Sequence, residues 1–119
     1  IKEADMSDCL FCKIVAGEIP STQVYNDDLV IAFRDINPMA PTHVLIIPRN
    51  HIPSVNDLSE NDELLMCHML LTAKKIAEQE GIAQSGYRLI INTGPDGRQE
   101  VFHMHLHLLG GQVMRHPMG

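Results

Sequence analysis

Tryptophan is absent from this 119-residue chain, and other aromatic residues are few: two tyrosines and three phenylalanines. A core built from it must therefore rest mainly on aliphatic side chains. Cysteines number three. An odd count is not the disulfide framework of a small secreted domain and points to a reducing compartment. Positive charge is scarce: nine Lys and Arg stand against fifteen Asp and Glu, a formal net charge of -6. Because non-specific nucleic-acid binding depends on Lys and Arg neutralising phosphates, a nucleic-acid partner is not expected. No apolar run approaches the ~20 residues that span a bilayer, and no signal-peptide pattern opens the chain. The expectation is a soluble, cytoplasmic protein without membrane attachment. The length suffices for one domain with a single core. Met6 reads as a natural start, so residues 1–6 are expected to be an expression remnant or a disordered lead, and residues 7–119 the domain.

What the chain does have is histidine at His103, His105 and His107, alternating with Phe102, Met104, Leu106 and Leu108 and followed by Gly110-Gly111. On a strand, alternate residues share a face, which predicts three histidines on one side and an apolar core side on the other. Lys, Thr or Glu would serve equally well on a merely solvated face, so three histidines in register point to chemistry. Same-face neighbours stand about 6.6 Å apart, leaving His103 and His107 roughly 13 Å apart. That is too far for all three to ligate one metal ion. Two neighbours sharing a metal, or a row lining a groove for an extended anion, remain as readings, and the glycine pair lets backbone approach a ligand. A phosphate ester fits such a groove, since backbone N–H groups and histidines can hold phosphate without a basic surface.

The H-x-H-x-H pattern resembles the histidine triad (HIT) superfamily, and its continuation Leu108-Leu109-Gly110-Gly111 is similar to the Hint branch of purine nucleoside phosphoramidate hydrolases. The resemblance takes in Ala32 to Ile36, Pro41-Thr42-His43, Gly86 to Leu89 and Gln99 to His103, and so runs over nearly the whole chain. It implies a nucleophile at His105, with His107 and His43 contacting the phosphate and passing a proton to the leaving amine, and His103 orienting the site. Asp35 would accept hydrogen bonds from the ribose hydroxyls. Gln99, Asn92 and the Val101 backbone would surround the phosphate, with Glu100 where animal members carry serine. Leu10, Phe11, Ile14, Phe33 and Ile36 would line the purine pocket. Arg98 replaces a second glycine of the family pattern. The resemblance also implies a structural zinc on Cys9, Cys12, His51 and His103, and a homodimer that joins two sheets into one. The tail from Gln112 to Gly119 resembles the Hint terminus that reaches a partner's site, without the tryptophan of animal members.

Periodicity and turn chemistry predict an α+β domain. Ser7-Asp8 can cap a short helix to about Ala16, ended by Gly17. Strands are predicted at Thr22 to Asn26 and Leu29 to Arg34, paired as a hairpin, then at His43 to Pro48, whose continuous apolar run suits burial on both faces. A long helix from Leu58 to about Gly81 would open on a Ser59-x-x-Asp62 capping box. Its apolar stripe is expected to take in Leu64, Leu65, Leu70, Leu71 and Ile76, with Met66, Cys67, His68 and Met69 read as packing. Gly86 to Asn92 is the fourth strand and the histidine segment the fifth, in one antiparallel sheet. Hydrolysis of nucleoside 5'-phosphoramidates through a nucleotidyl-histidine is the expected activity. Dinucleoside polyphosphate cleavage and nucleotide or partner binding with vestigial activity are the alternatives.

Overall fold

The computed structural model describes residues 8–117. The expected lead at residues 1–6 and the Ser7 half of the predicted cap lie outside the described residues. In chain order the elements are α1 (Leu10–Val15), β1 (Gln23–Asn26), β2 (Val30–Arg34), β3 (Thr42–Pro48), α2 (Glu63–Gln79), β4 (Tyr87–Ile90) and β5 (Leu106–Gly110). The strands form a single antiparallel sheet in the order β1-β2-β3-β5-β4. This is the α+β arrangement expected, with one long helix and one short one. Among the described residues no helix is long and apolar enough to cross a membrane.

Side-chain alternation divides the core in two. Val30, Ala32, Val44, Ile46, Met104, Leu106 and Leu108 pack with Met69, Ala73, Ile76 and Ala77 of α2. The intervening Ile31, Phe33, Leu45 and Ile47 pack with Cys9, Phe11 and Ile14 at α1. Helices thus cover both faces of the central strands, which is why β3 is buried throughout and reads as an unbroken apolar run. His43 and His107 have the parity of the α1 face.

Several boundaries differ from expectation, each for a local reason. The cap of α1 is Cys9, whose sulfur accepts the Cys12 N–H at 3.3 Å. The Ser59–Asp62 box closes a 3₁₀ turn over Glu60–Asp62, after which α2 begins. The buried face of α2 is Met69, Thr72, Ala73, Ile76 and Ala77, while Leu64, Cys67, Leu70 and Leu71 are exposed. His68 is more than packing: its Nε2 meets Asp27 Oδ2 at 2.6 Å. Asp27 also accepts from Tyr25 OH at 2.7 Å and from the Leu29 and Val30 amides at 2.8 and 2.9 Å. Burial opposes its charged form, but these hydrogen bonds outweigh it and hold the carboxyl below its usual range. One carboxylate therefore ties the β1–β2 turn to α2.

The histidine segment is a regular strand only from Leu106 onward. With Ile46 opposite Leu106, the same register would set Met104 opposite Pro48, which has no N–H to donate. The ladder stops, and Met104 N–H donates instead to Ile52 O at 2.7 Å. Of the three histidines only His107 therefore lies on the strand. Met104, Leu106 and Leu108 are core as expected, but Phe102 is 44% exposed and is not.

Candidate active site

The α1 face carries a cavity of about 660 Å³. Leu10, Phe11 and Ile14 of α1 and Phe33 of β2 supply its apolar wall, joined by Ile36. Ile36 lines it from the rim, being 90% exposed. Asp35 follows β2, Asn92 follows β4, and Glu100 and Val101 precede β5; all four line the same cavity with His105 and His107. Three proposed site residues stand outside it. His43 is buried behind His107, His103 turns toward the cysteines, and Gln99 is occupied by backbone. The Gln99 amide donates to Pro53 O at 2.7 Å and Val101 O at 3.1 Å, and its Oε1 accepts Gly94 N–H at 3.0 Å. In this geometry Gln99 shapes the loop that carries Glu100 and Val101.

The hydrogen bonds assign the proton on each imidazole. His105 Nδ1 is 2.8 Å from the His103 carbonyl, an acceptor only. Nδ1 must carry the proton, and Nε2 keeps a free lone pair. The ring is held in place by Phe11, edge-on at 5.1 Å, and by His107 at 4.9 Å between centroids. His43 Nδ1 accepts the Met39 N–H at 3.1 Å, which places the His43 proton on Nε2. That nitrogen lies 3.0 Å from His107 Nδ1 and 3.5 Å from Asp35 Oδ2. His107 Nδ1 is thus an acceptor, and its own proton is on Nε2. Asp35 Oδ1 accepts the Asn37 N–H at 2.8 Å.

Burial lowers the proton affinity of all these rings. It brings His107 down to about 4, assisted by the neighbouring His105 and His43. His105 is lowered by burial against the opposing His103 carbonyl, Asp35 and Glu100, and His43 by burial against Asp35. The three rings are neutral at pH 7, so His105 Nε2 is available as a nucleophile.

A second cluster lies beside the cavity. The ligating atoms of Cys9, Cys12, His51 and His103 all fall within 4.8 Å of one another. His103 Nδ1 is 3.3 Å from Cys9 Sγ and 3.6 Å from Cys12 Sγ, and His51 Nδ1 is 3.3 Å from Cys12 Sγ. Tetrahedral zinc, with bonds near 2.3 Å to sulfur and 2.0 Å to nitrogen, would set sulfur and nitrogen about 3.5 Å apart. His103 Nε2 lies 2.8 Å from Pro48 O, so its proton is there and Nδ1 presents its lone pair to the sulfurs, the usual outer partner of a metal-bound histidine. Burial brings His103 down to about 4 and raises the Cys12 thiol to about 11, aided by Cys9. The donor set fits zinc. His103 therefore serves two places at once: its ring faces the cysteines while its carbonyl orients His105.

Some cavity residues had no signal in the sequence. Arg34, Met39 and Leu45 line it because of where β2 and β3 run, and Ile19, Pro20 and Ser21 because the chain leaves α1 across its mouth. His116 also lines this chain's own cavity, although the resemblance points the tail toward a partner. Arg98 lines it from the β4–β5 connection.

The HIT domain family model matches residues 16–114. The chain is 60% identical over 105 residues to a purine nucleoside phosphoramidase of Escherichia coli K12, covering 88% of each chain. It is 47% identical over 121 residues to a 14 kDa zinc-binding protein of Zea mays, covering 100% of this chain and 94% of that one. A HIT family hydrolase from Legionella pneumophila superposes with a TM-score of 0.91 at 54% identity, covering 94% of this chain and 100% of that one.

Proposed function

The chain belongs to the HIT family, and we propose on that premise that it is a purine nucleoside phosphoramidase acting through a nucleotidyl-histidine. The observation that carries the reading is the His105 tautomer: Nδ1–H is committed to the His103 carbonyl and Nε2 is free beside a cavity with an apolar wall. The purine would lie against Phe11, Ile14 and Phe33, with the ribose hydroxyls donating to Asp35. His105 Nε2 attacks phosphorus, and the P–N bond breaks. An amine leaves poorly without a proton. The anionic phosphate favours the protonated form of His107, which gives its Nε2 proton to the departing nitrogen; while His107 Nδ1 is also protonated, the His43 Nε2–H turns to Asp35 Oδ2, 3.5 Å away. Water then attacks phosphorus, the P–Nε2 bond breaks, and the proton lost by water passes to His107. Asn92 and the Val101 backbone would hold the phosphate oxygens.

Zinc, when bound by Cys9, Cys12, His51 and His103, would supply a rigid support for the His103 carbonyl.

Comparison of an adenosine 5'-phosphoramidate with a dinucleoside polyphosphate tests the substrate class. Faster kcat/KM on the phosphoramidate is expected, and preference for the polyphosphate would replace this reading. Because burial lowers His105, its neutral, nucleophilic form persists to more acidic pH than free imidazole. The acid limb of kcat/KM for the free enzyme is therefore expected below pH 6.5, the ordinary histidine value. We also infer a homodimer in the cytoplasm. Leu70 and Leu71 of α2, and Tyr87 and Leu89 of the edge strand β4, are exposed apolar side chains that a second copy would cover. Sedimentation equilibrium is expected to return twice the chain mass; the chain mass itself would refute the dimer.

A further inference from the structure

Arg98 is the sole residue other than glycine with a positive φ among the described residues, at 62°. It closes a tight turn, in which Arg98 N–H donates to Pro95 O at 3.0 Å and Gln99 N–H to Gly94 O at 3.0 Å. The turn is demanding throughout. Gly94 has φ +72°, and a Cβ at Gly97 would come within 2.4 Å of the Thr93 carbonyl oxygen. Glycine or asparagine takes the left-handed conformation at least cost, and a long side chain gains nothing there from the backbone. Nor does the Arg98 side chain repay its strain through contacts: its guanidinium has no hydrogen bond or ion pair among the described residues. A strained residue without a structural partner directs attention to what it faces, and Arg98 lines the cavity with His105 and His107.

The charges around the cavity sharpen this. Its other arginine, Arg34, is held by both Glu80 oxygens at 2.9 Å. Arg98 is left as the unpaired cation of the cavity among the described residues. It comes from the β4–β5 connection, which also supplies Asn92 and leads directly into His105, whereas the apolar wall comes from α1 and β2. Its charge therefore enters the cavity on the segment that precedes His105, and not on the segments that form the apolar wall. Glu100, on the same connection, also lines the cavity; of the two charges, Arg98 is the one suited to an anion.

We propose that Arg98 determines leaving-group specificity, favouring phosphoramidates whose departing amine bears a carboxylate, as in an amino acid joined to the phosphate through its nitrogen. This rests on the phosphoramidase reading. A guanidinium presents paired N–H donors in the plane and spacing of carboxylate oxygens, and a desolvated cavity strengthens the pair over its value in water.

The probes are the adenosine 5'-phosphoramidates of glycine and of glycinamide, which are close in size and differ in charge. For the wild type, kcat/KM is expected to be higher on the glycine compound. In R98G the glycine-to-glycinamide ratio is expected to fall about tenfold, with R98K retaining part of it, and the wild-type preference is expected to shrink as salt is raised. Glycine at position 98 removes the strain with the cation, so R98G is expected to melt no lower than the wild type. An unchanged ratio in folded R98G overturns the proposal. Turnover of neither compound by folded wild type overturns the phosphoramidase reading instead, and this proposal falls with it.

Discussion

Replacing His105 with glycine or alanine is expected to lower turnover of an adenosine 5'-phosphoramidate by about four orders of magnitude. The wild type, stopped early in the reaction, is expected to show an adenylyl adduct by intact mass, and the variant none. Geometry singles out this residue. His103 is wholly buried and its ring faces Cys9 and Cys12. His43 has Nδ1 occupied by Met39 and Nε2 by His107, and the Nε2 of His107 carries a proton. Of these four histidines, His105 alone has an uncommitted lone pair, on Nε2, at the cavity. Near-normal turnover by the His105 variants, or an adduct mapped to another histidine, would remove it as the nucleophile. His107→Ala offers a contrast: a missing proton donor costs more for poor amine leaving groups than for an acyl phosphate, which needs no proton to depart.

The second large effect concerns metal. Protein prepared without a polyhistidine tag is expected to carry close to one zinc per chain, and Cys12→Ser to lose it. Chelation is expected to lower the melting temperature by about 10 °C or more, since a ligand held far above its dissociation constant adds several kcal/mol to a domain of this size. The direction with pH follows from the ligands. Thiols must lose protons to bind, so protons compete with zinc and acidification releases it. Without metal the Cys12 thiol sits near 11 and stays neutral, leaving sulfur and imidazole in weak contact in place of coordinate bonds. Less than about half an equivalent of zinc, with Cys9→Ser melting as the wild type does, would exclude the site. Metal content and melting are read independently of activity, so this result stands apart from that of His105.

Much of the architecture was legible from local patterns. The apolar run of β3, the hairpin of β1 and β2 and the alternation from Met104 to Leu108 each act over a few residues, where side-chain period and turn chemistry dominate. Less legible was whatever depends on a distant partner. The exposed Leu64, Leu70 and Leu71 look like a core stripe in sequence because helical period records which residues share a face and not what covers it. His68 reads as filler until Asp27, 41 positions away, is brought to 2.6 Å. Gln99 was legible as a site residue through the family pattern, while its three hydrogen bonds to backbone required Pro53 and Gly94 in place.

By itself the sequence determined the family, the α+β class, the three histidines and the two cysteines, because these lie in residue identity and short spacing. Only the tertiary structure decided which neighbours each histidine meets. Equal spacing along the chain predicts three rings on one face of a strand. Pro48, lacking an N–H, ends the ladder before Leu106, so the segment bends and the rings part: His103 to the cysteines, His105 to the cavity, His107 to His43. Their proton positions then follow from acceptors far apart in sequence, Pro48 and His103 carbonyls among them. An imidazole is ligand, nucleophile or acid according to which nitrogen its neighbours leave free.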